Sequence, residues 1–164
     1  MAAPSVSLEG KNFGLIKTLP LSANKIIGAK YLSSFIISAV NLIIPAIIAV
    51  VGFSIPFIYS LIIVLSAILG CFAVNSVAML FSIIFAKFDW DNPAYPVKQG
   101  ASMFCTMLVN LAIVGVLALI VWLISSKVTV DLAMWLSLLY IAIISVLSTL
   151  LLLKYGIKRF EKLQ

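Results

Sequence analysis

The spacing of the charged residues constrains this chain more than any other feature of its sequence. Three runs contain no Asp, Glu, Lys or Arg: residues 31–86, 99–126 and 132–153. An α-helix rises about 1.5 Å per residue, so about 20 residues cross a hydrocarbon layer about 30 Å thick. The second and third runs each fit one crossing. The first run would be about 84 Å long as a single helix, so it must turn back once.

The turn inside the long run is predicted at Gly52-Phe53-Ser54-Ile55-Pro56. Glycine commonly ends a helix, and proline cannot continue one but can begin the next. We therefore expect an all-α integral membrane protein with four transmembrane helices, at about 31–52, 57–86, 101–125 and 132–153. Residues 1–30 form a cytoplasmic segment, 31–154 the four-span domain and 155–164 a basic cytoplasmic tail.

The composition excludes most soluble and catalytic classes. Hydrophobic residues make up 64% of the chain, charged residues only 10%, and histidine is absent. A soluble domain of this size would leave too much apolar surface in water. The two cysteines, Cys71 and Cys105, are too far apart for a CxxC motif and are expected to pack as small apolar residues. Without a P-loop sequence either, the chain is expected to be neither an enzyme nor the holder of a metal or cofactor.

The distribution of Lys and Arg predicts the orientation of the spans. The odd number of turns between four spans places both termini on one side, together with the loop between the second and third spans. That side carries ten Lys or Arg residues, whereas the other carries only Lys127. Cytoplasmic loops are enriched in these residues, so we expect both termini in the cytoplasm of a plasma-membrane protein. The basic face then contacts anionic lipid, and no basic stretch has the interleaved aromatics expected of a nucleic-acid interface.

Three asparagines lie inside the predicted spans: Asn41, Asn75 and Asn110. In lipid such side chains commonly form hydrogen bonds across helix interfaces, and packing is the favoured interpretation. Lining a substrate path is the alternative. Asn41 is a special case, since Pro45 has no N–H and leaves the carbonyl of residue 41 without its helical partner. We expect a kink there, with the Asn41 side chain helping to satisfy the freed group.

The segment before the first span, residues 7–22, has the pattern of a short amphipathic helix. Ser7 can cap its start, and Glu9 is favourably placed in the first turn. Pro20 ends it, and Ser22 can cap the next helix. Its apolar face contains Leu8, Phe13, Leu15, Ile16 and Leu19. Such a helix most often anchors a protein at the membrane surface. Gly10 and Gly14, one turn apart on the other face, would leave a notch that another protein could approach.

The same segment resembles the cytoplasmic coupling segment of type-two ABC exporter permeases, Gram-positive members in particular. The matching residues are Glu9, Gly10, Lys11, Leu15, Thr18, Leu19, Pro20, Ser22, Gly28 and Lys30. In that family a coupling helix lies between the second and third membrane spans and contacts an ATPase subunit. The resemblance implies that this ATPase, not the present chain, binds ATP and Mg²⁺.

A second stretch, Phe88-Asp89-Trp90-Asp91-Asn92-Pro93, followed by Val97-Lys98-Gln99-Gly100, is similar to an inner loop of the same family. Asp89, Trp90 and Asp91 are the expected secondary contact with the ATPase. The four predicted spans then correspond to spans three to six of a six-span unit. The resemblance therefore also implies, as partners, another permease unit or the two remaining N-terminal spans.

Two functions remain open at this stage. The favoured one is the membrane-spanning permease of an ABC exporter, which couples ATP hydrolysis by a separate subunit to export. The alternative is a four-span membrane protein that scaffolds or regulates a membrane complex without transporting anything. The ordered features of residues 7–30 favour the permease, because a scaffold has no need of a capped helix, a proline break and Gly-x-Lys in that order.

Overall fold

The computed structural model of the chain describes residues 2–3, 5–12, 22–87, 100–125 and 129–161. Four long helices dominate it: α1 (Ala23–Gly52), α2 (Phe57–Ile84), α3 (Ala101–Ser125) and α4 (Val130–Leu151). A short 3₁₀ helix at Ser7–Asn12 precedes them. After α4 come a π-helical turn at Leu152–Gly156 and a last helical turn, α5, at Ile157–Glu161.

The four-span prediction is confirmed. Each long helix contains a window apolar enough to cross a membrane, and the fourth candidate span continues through α5 to Glu161. These four helices indicate a multi-pass membrane protein. Large apolar side chains also cover the outside of the bundle, such as Val51 (72% exposed) and Phe57 (83% exposed). Hydrocarbon is the solvent that such a surface requires.

The first helix begins earlier than predicted, at Ala23 instead of near residue 31. The prediction stopped at Lys30 because a charge was taken as the edge of the span. A helix of 30 residues is much longer than the hydrocarbon layer is thick, so its basic first turns can project into the headgroup region. Lys25 and Lys30 therefore lie on α1 itself, and the charge-free part of this helix begins only at Tyr31.

The predicted turn between the first two spans is confirmed. α1 ends at Gly52, and Ser54 adopts a left-handed conformation with φ of 50°. Pro56 then stands immediately before α2, where its fixed φ suits a helix start and its missing N–H leaves no group unpaired.

α2 lies at the centre of the bundle and packs against α1, α3 and α4. It runs antiparallel to α1, with Ser38 opposite Asn75. It runs parallel to α4, since Ser76 contacts Thr149 near their ends and Tyr59 contacts Asp131 near their starts.

One end of the bundle therefore brings together the start of α1, the end of α2, the π-helical turn and α5. We call it the terminal end, because the described residues nearest both chain termini also lie there. A buried apolar cluster holds it together: Val6, Ala23, Ile26, Ile27, Met79, Ile83, Leu152 and Phe160.

Candidate functional site

The residues before α1 are fastened to the terminal end by an ion pair. The Glu9 carboxylate pairs with the Lys30 ammonium group, and each side chain is only 19% exposed. Lys30 Nζ also donates a hydrogen bond to the backbone carbonyl of Ser5, at 3.0 Å. Lys30 of α1 thus contacts the preceding segment at two residues, Glu9 and Ser5.

The same segment is also bound to α2. The Val6 N–H donates to Ser82 Oγ at 3.0 Å, and the Val6 side chain is completely buried. Ser7 Oγ accepts a hydrogen bond from the backbone N–H of Lys87, at 3.1 Å. Ser7 is the first residue of the 3₁₀ helix and is 2% exposed, and its hydroxyl joins the segment to the chain just beyond α2.

We name the residues that make these contacts the coupling cluster: Ser5, Val6, Ser7, Glu9, Lys30, Ser82 and Lys87. Only Glu9 belonged to the predicted site, and Lys30 to the family resemblance. One further feature is unusual: Glu9 Oε2 is buried without a hydrogen-bond partner among the described residues.

The predicted amphipathic helix at 7–22 is not shown. The described part is the six-residue 3₁₀ helix, which includes the backbone of Gly10 and Lys11. Residues 13–21 lie outside the described part of the chain, and with them Leu15, Leu19 and Pro20. Asp89, Trp90 and Asp91 also lie outside it, within 88–99.

Ser22 stands at the predicted position but acts differently from the prediction. It is the N-cap residue of α1, with extended backbone angles of φ −68° and ψ 147°. Its side chain makes no capping hydrogen bond. The Ser22 backbone carbonyl accepts the first hydrogen bonds of the helix, from the N–H groups of Lys25 and Ile26 at 2.9 and 3.3 Å.

A second polar group lies deeper in the bundle and joins three helices. The Tyr31 hydroxyl donates to the Phe72 carbonyl at 3.3 Å and lies 3.2 Å from Ser76 Oγ. Ser76 Oγ lies 3.1 Å from Thr149 Oγ1, which itself donates to the Ser145 carbonyl at 2.8 Å. The network thus connects α1, α2 and α4.

Asn75 is a packing residue in this structure. It is 2% exposed, its Nδ2 donates to the Cys71 carbonyl at 2.9 Å, and its Oδ1 accepts from Ser38 Oγ at 3.3 Å. Its contact with α1 agrees with the favoured interpretation. Cys71 is buried and free, as expected of a small packing residue.

Asn41 and Asn110 differ from Asn75. Asn41 is exposed, and its Nδ2 donates to the Ile37 carbonyl at 2.7 Å, so the side chain does not compensate for Pro45 as predicted. The α1 helix continues through Pro45 to Gly52. In α3, Asn110 Oδ1 is buried without a partner among the described residues.

Sequence reasoning missed most of the coupling cluster and all of the Tyr31 network. Ser5, Ser76, Ser82 and Thr149 are common small polar residues, and nothing in their spacing sets them apart. Tyr31 offered the only usable signal, since it is an aromatic hydroxyl immediately beyond Lys30 at the start of an apolar run. A buried tyrosine hydroxyl usually requires a partner.

The described ranges contain no group of three His, Cys, Asp or Glu side chains that could hold a metal ion. Far from the terminal end, the Tyr59 hydroxyl donates to the Asp131 carboxylate and joins the starts of α2 and α4. Comparison with protein-family models, with curated proteins and with solved structures finds no match for this chain.

Proposed function

We propose that this chain is the membrane-spanning permease component of an ABC exporter in the plasma membrane. The observation that carries the proposal is the attachment of residues 5–9 to two helices at once. The Glu9–Lys30 ion pair holds them to α1, and the Val6–Ser82 hydrogen bond holds them to α2. A subunit that docks on this segment would move both helices.

The resemblance of residues 7–30 to a coupling segment supports the same function. A separate ATPase would bind ATP and Mg²⁺, and its movement would reach the spans through residues 7–22. Asp89, Trp90 and Asp91 would supply the secondary contact. The present chain would make and break no covalent bond.

The orientation required by this function follows from the basic residues. Lys25, Lys30, Lys154, Lys158 and Arg159 all lie in the first turns of α1 or beyond the apolar part of α4, at the terminal end. The Lys/Arg bias predicts that this end is cytoplasmic, where an ATPase would have access to it.

The substrate path would lie away from the Tyr31 network. Asn75 and Ser76 use their hydrogen-bonding groups within the bundle, so neither is available to cargo. Asn110 is the better candidate, because its Oδ1 has no partner among the described residues. A path beside α3, at an interface with another permease unit or with further spans, would use this group.

The alternative, a non-transporting four-span scaffold, has one observation in its favour. The polar network of α1, α2 and α4 is internally satisfied and would serve static packing equally well. The two functions differ in whether the coupling cluster transmits anything to a partner.

The test compares variants of the complete permease unit for co-purification of the ATPase and for permease-stimulated ATP turnover. Glu9→Ala and Pro20→Ala should insert normally and lower the stimulation about fivefold or more, the scale of a typical coupling free energy. Glu161→Ala is the matched control, since it removes an exposed carboxylate from the same end of the bundle.

Lys30→Ala separates two roles of Glu9. If Glu9 acts through its ion pair with Lys30, the lysine variant will lose the same stimulation while the ATPase still co-purifies. If Glu9 contacts the ATPase directly, only Glu9→Ala will lose co-purification. Normal binding and normal stimulation with Glu9→Ala, Lys30→Ala and Pro20→Ala would leave residues 7–22 as an interfacial anchor and favour the scaffold.

A further inference from the structure

A groove of about 600 Å³ opens at the terminal end, between α2 and the segment that follows α4. Leu80 and Ile84 of α2 form one apolar wall, and Tyr155 of the π-helical turn lines the other side. The exposed cationic residues Lys158 and Arg159 of α5 complete the lining. We call it the Tyr155 groove.

The π-helical turn and one glycine determine how this groove is built. A π turn adds one residue to the helix, which rotates all later side chains relative to α4. Gly156 lies against α2, where an added Cβ would stand 2.9 Å from Leu152 Cδ1 and 3.5 Å from Leu80 Cδ1. Phe160 is completely buried and anchors α5 to the bundle. Lys158 and Arg159 are thereby held beside α2.

The groove lies at the depth of lipid headgroups. The fourth candidate span, Val130–Glu161, has 32 residues. At that length it is about 48 Å long, whereas the hydrocarbon layer is about 30 Å thick and the whole bilayer about 40–45 Å. The last turn, with Lys158 and Arg159, therefore reaches the headgroup region, while Leu80 and Ile84 face the outer part of the hydrocarbon.

The charge of the groove is unbalanced. Within the part of the chain that the structure describes, neither Lys158 nor Arg159 forms an ion pair, and no acidic residue lines the groove. Arginine binds phosphate oxygens with two parallel hydrogen bonds, and lysine adds a second positive charge. An anionic group above an apolar wall fits this arrangement.

We propose that the Tyr155 groove is a binding site for one anionic phospholipid. Its phosphate contacts Lys158 and Arg159, and one acyl chain lies along Leu80, Ile84 and the ring of Tyr155. A zwitterionic phospholipid binds more weakly, because its own cation repels the two basic side chains. The site requires no ATPase and is therefore independent of the permease function.

The binding experiment uses the full chain in nanodiscs of phosphatidylcholine, into which phosphatidylglycerol is titrated, with bound lipid counted by native mass spectrometry. Lys158→Gln combined with Arg159→Gln should weaken phosphatidylglycerol binding about 10- to 30-fold, as expected for the loss of two cations near an anionic headgroup. Lys158→Gln alone should weaken binding about fivefold, whereas Lys25→Gln, which removes one charge from the same end of the bundle outside the groove, should change it less than about threefold.

A second variant tests the apolar wall without altering charge. Ile84→Trp should fill the groove and weaken binding, whereas Leu153→Trp places the same side chain on a neighbouring exposed surface and should not. Circular dichroism and gel filtration confirm that each variant retains its helices and its size.

Two results would overturn the proposal. Equal weakening by Lys25→Gln and Lys158→Gln would show attraction to a general basic surface. Displacement of the lipid by soluble glycerol phosphate at equal concentration would show a phosphate site that needs no acyl chain. Retained phosphatidylglycerol in the presence of glycerol phosphate, together with loss in Lys158→Gln/Arg159→Gln and in Ile84→Trp, supports the lipid site.

Discussion

Gly156 lies close to Leu80 and Ile83 of α2, and substitutions there test the packing of the terminal end. An added methyl group meets mainly the flexible end of Leu152, so Gly156→Ala should be tolerated. Gly156→Leu adds three more carbons against Leu80 and Ile83, and should lower the free energy of unfolding by about 1–3 kcal/mol through overpacking.

Gly115 provides the matched control for this prediction. Gly115 lies within α3, where an added Cβ meets nothing within 4 Å. Gly115→Leu should be neutral or raise stability by up to about 1 kcal/mol, because leucine favours helix over glycine. Unfolding in detergent, followed by circular dichroism, measures both. Equal losses at the two positions would contradict the close approach at Gly156.

The Tyr31 network joins three helices, but its hydrogen bonds should contribute little to the free energy of unfolding. Polar contacts within membranes average about 0.6 kcal/mol in double-mutant cycles. A cycle of Tyr31→Phe and Ser76→Ala should therefore give a coupling energy of about 0.5–1 kcal/mol. Ser33→Ala is the control, since Ser33 is exposed and bonds only its own helix. A coupling energy indistinguishable from zero would mean that the Tyr31–Ser76 contact does not form.

At the scale of elements, the attachment of residues 5–12 to the bundle is the feature most open to a direct test. Ser5 Oγ and Ser82 Oγ lie 3.5 Å apart. Ser5→Cys combined with Ser82→Cys, in a chain without Cys71 and Cys105, should therefore form a disulfide under mild oxidation. Ser5→Cys with Ser60→Cys should not, because Ser60 lies at the opposite end of α2.

A substitution of Val6 tests the same attachment from the side of the apolar cluster. Its side chain is completely buried, so Val6→Asp would place a charge in the apolar cluster and should release the segment. The disulfide between the cysteines introduced at positions 5 and 82 should then be lost, while the four long helices remain. Mass spectrometry after proteolysis reports the disulfide. Its persistence in Val6→Asp would show that Val6 does not hold the segment.

The long helices were predictable because their length and polarity are set by the bilayer. The end of α2 and both ends of α3 lie within about two residues of the charge-free limits, since burying a charge in hydrocarbon is costly. The start of α1 was missed because Lys25 and Lys30 reach the headgroup region while remaining helical.

The coupling cluster could not be predicted in the same way. Residues 7–22 have the sequence pattern of an amphipathic surface helix, but Val6 and Ser7 find partners on α2 and just beyond it, more than 70 residues away in the chain. The periodicity of apolar residues along a segment cannot reveal a contact with residues so far away in the chain. The pairing of Glu9 with Lys30 is similarly long-range, although both residues were singled out by the family resemblance.

For the whole molecule, orientation in the membrane is the premise of the proposed function. An ATPase can reach the coupling cluster only if the terminal end is cytoplasmic. The expected positions are clear: both termini and 87–98 inside, and 53–56 and 126–131 outside. Parts of these ranges, including Ser126 and Lys162, lie outside the described residues, so an experiment on the intact protein must establish their side.

The most direct test is single-cysteine labelling of intact cells with a membrane-impermeant maleimide, in a chain without Cys71 and Cys105. Ser126→Cys should react from outside. Lys162→Cys should react only after the membrane is permeabilised. Labelling of Lys162→Cys in intact cells, with or without labelling of Ser126→Cys, would place the terminal end on the wrong side for an ATPase and would contradict the proposed function.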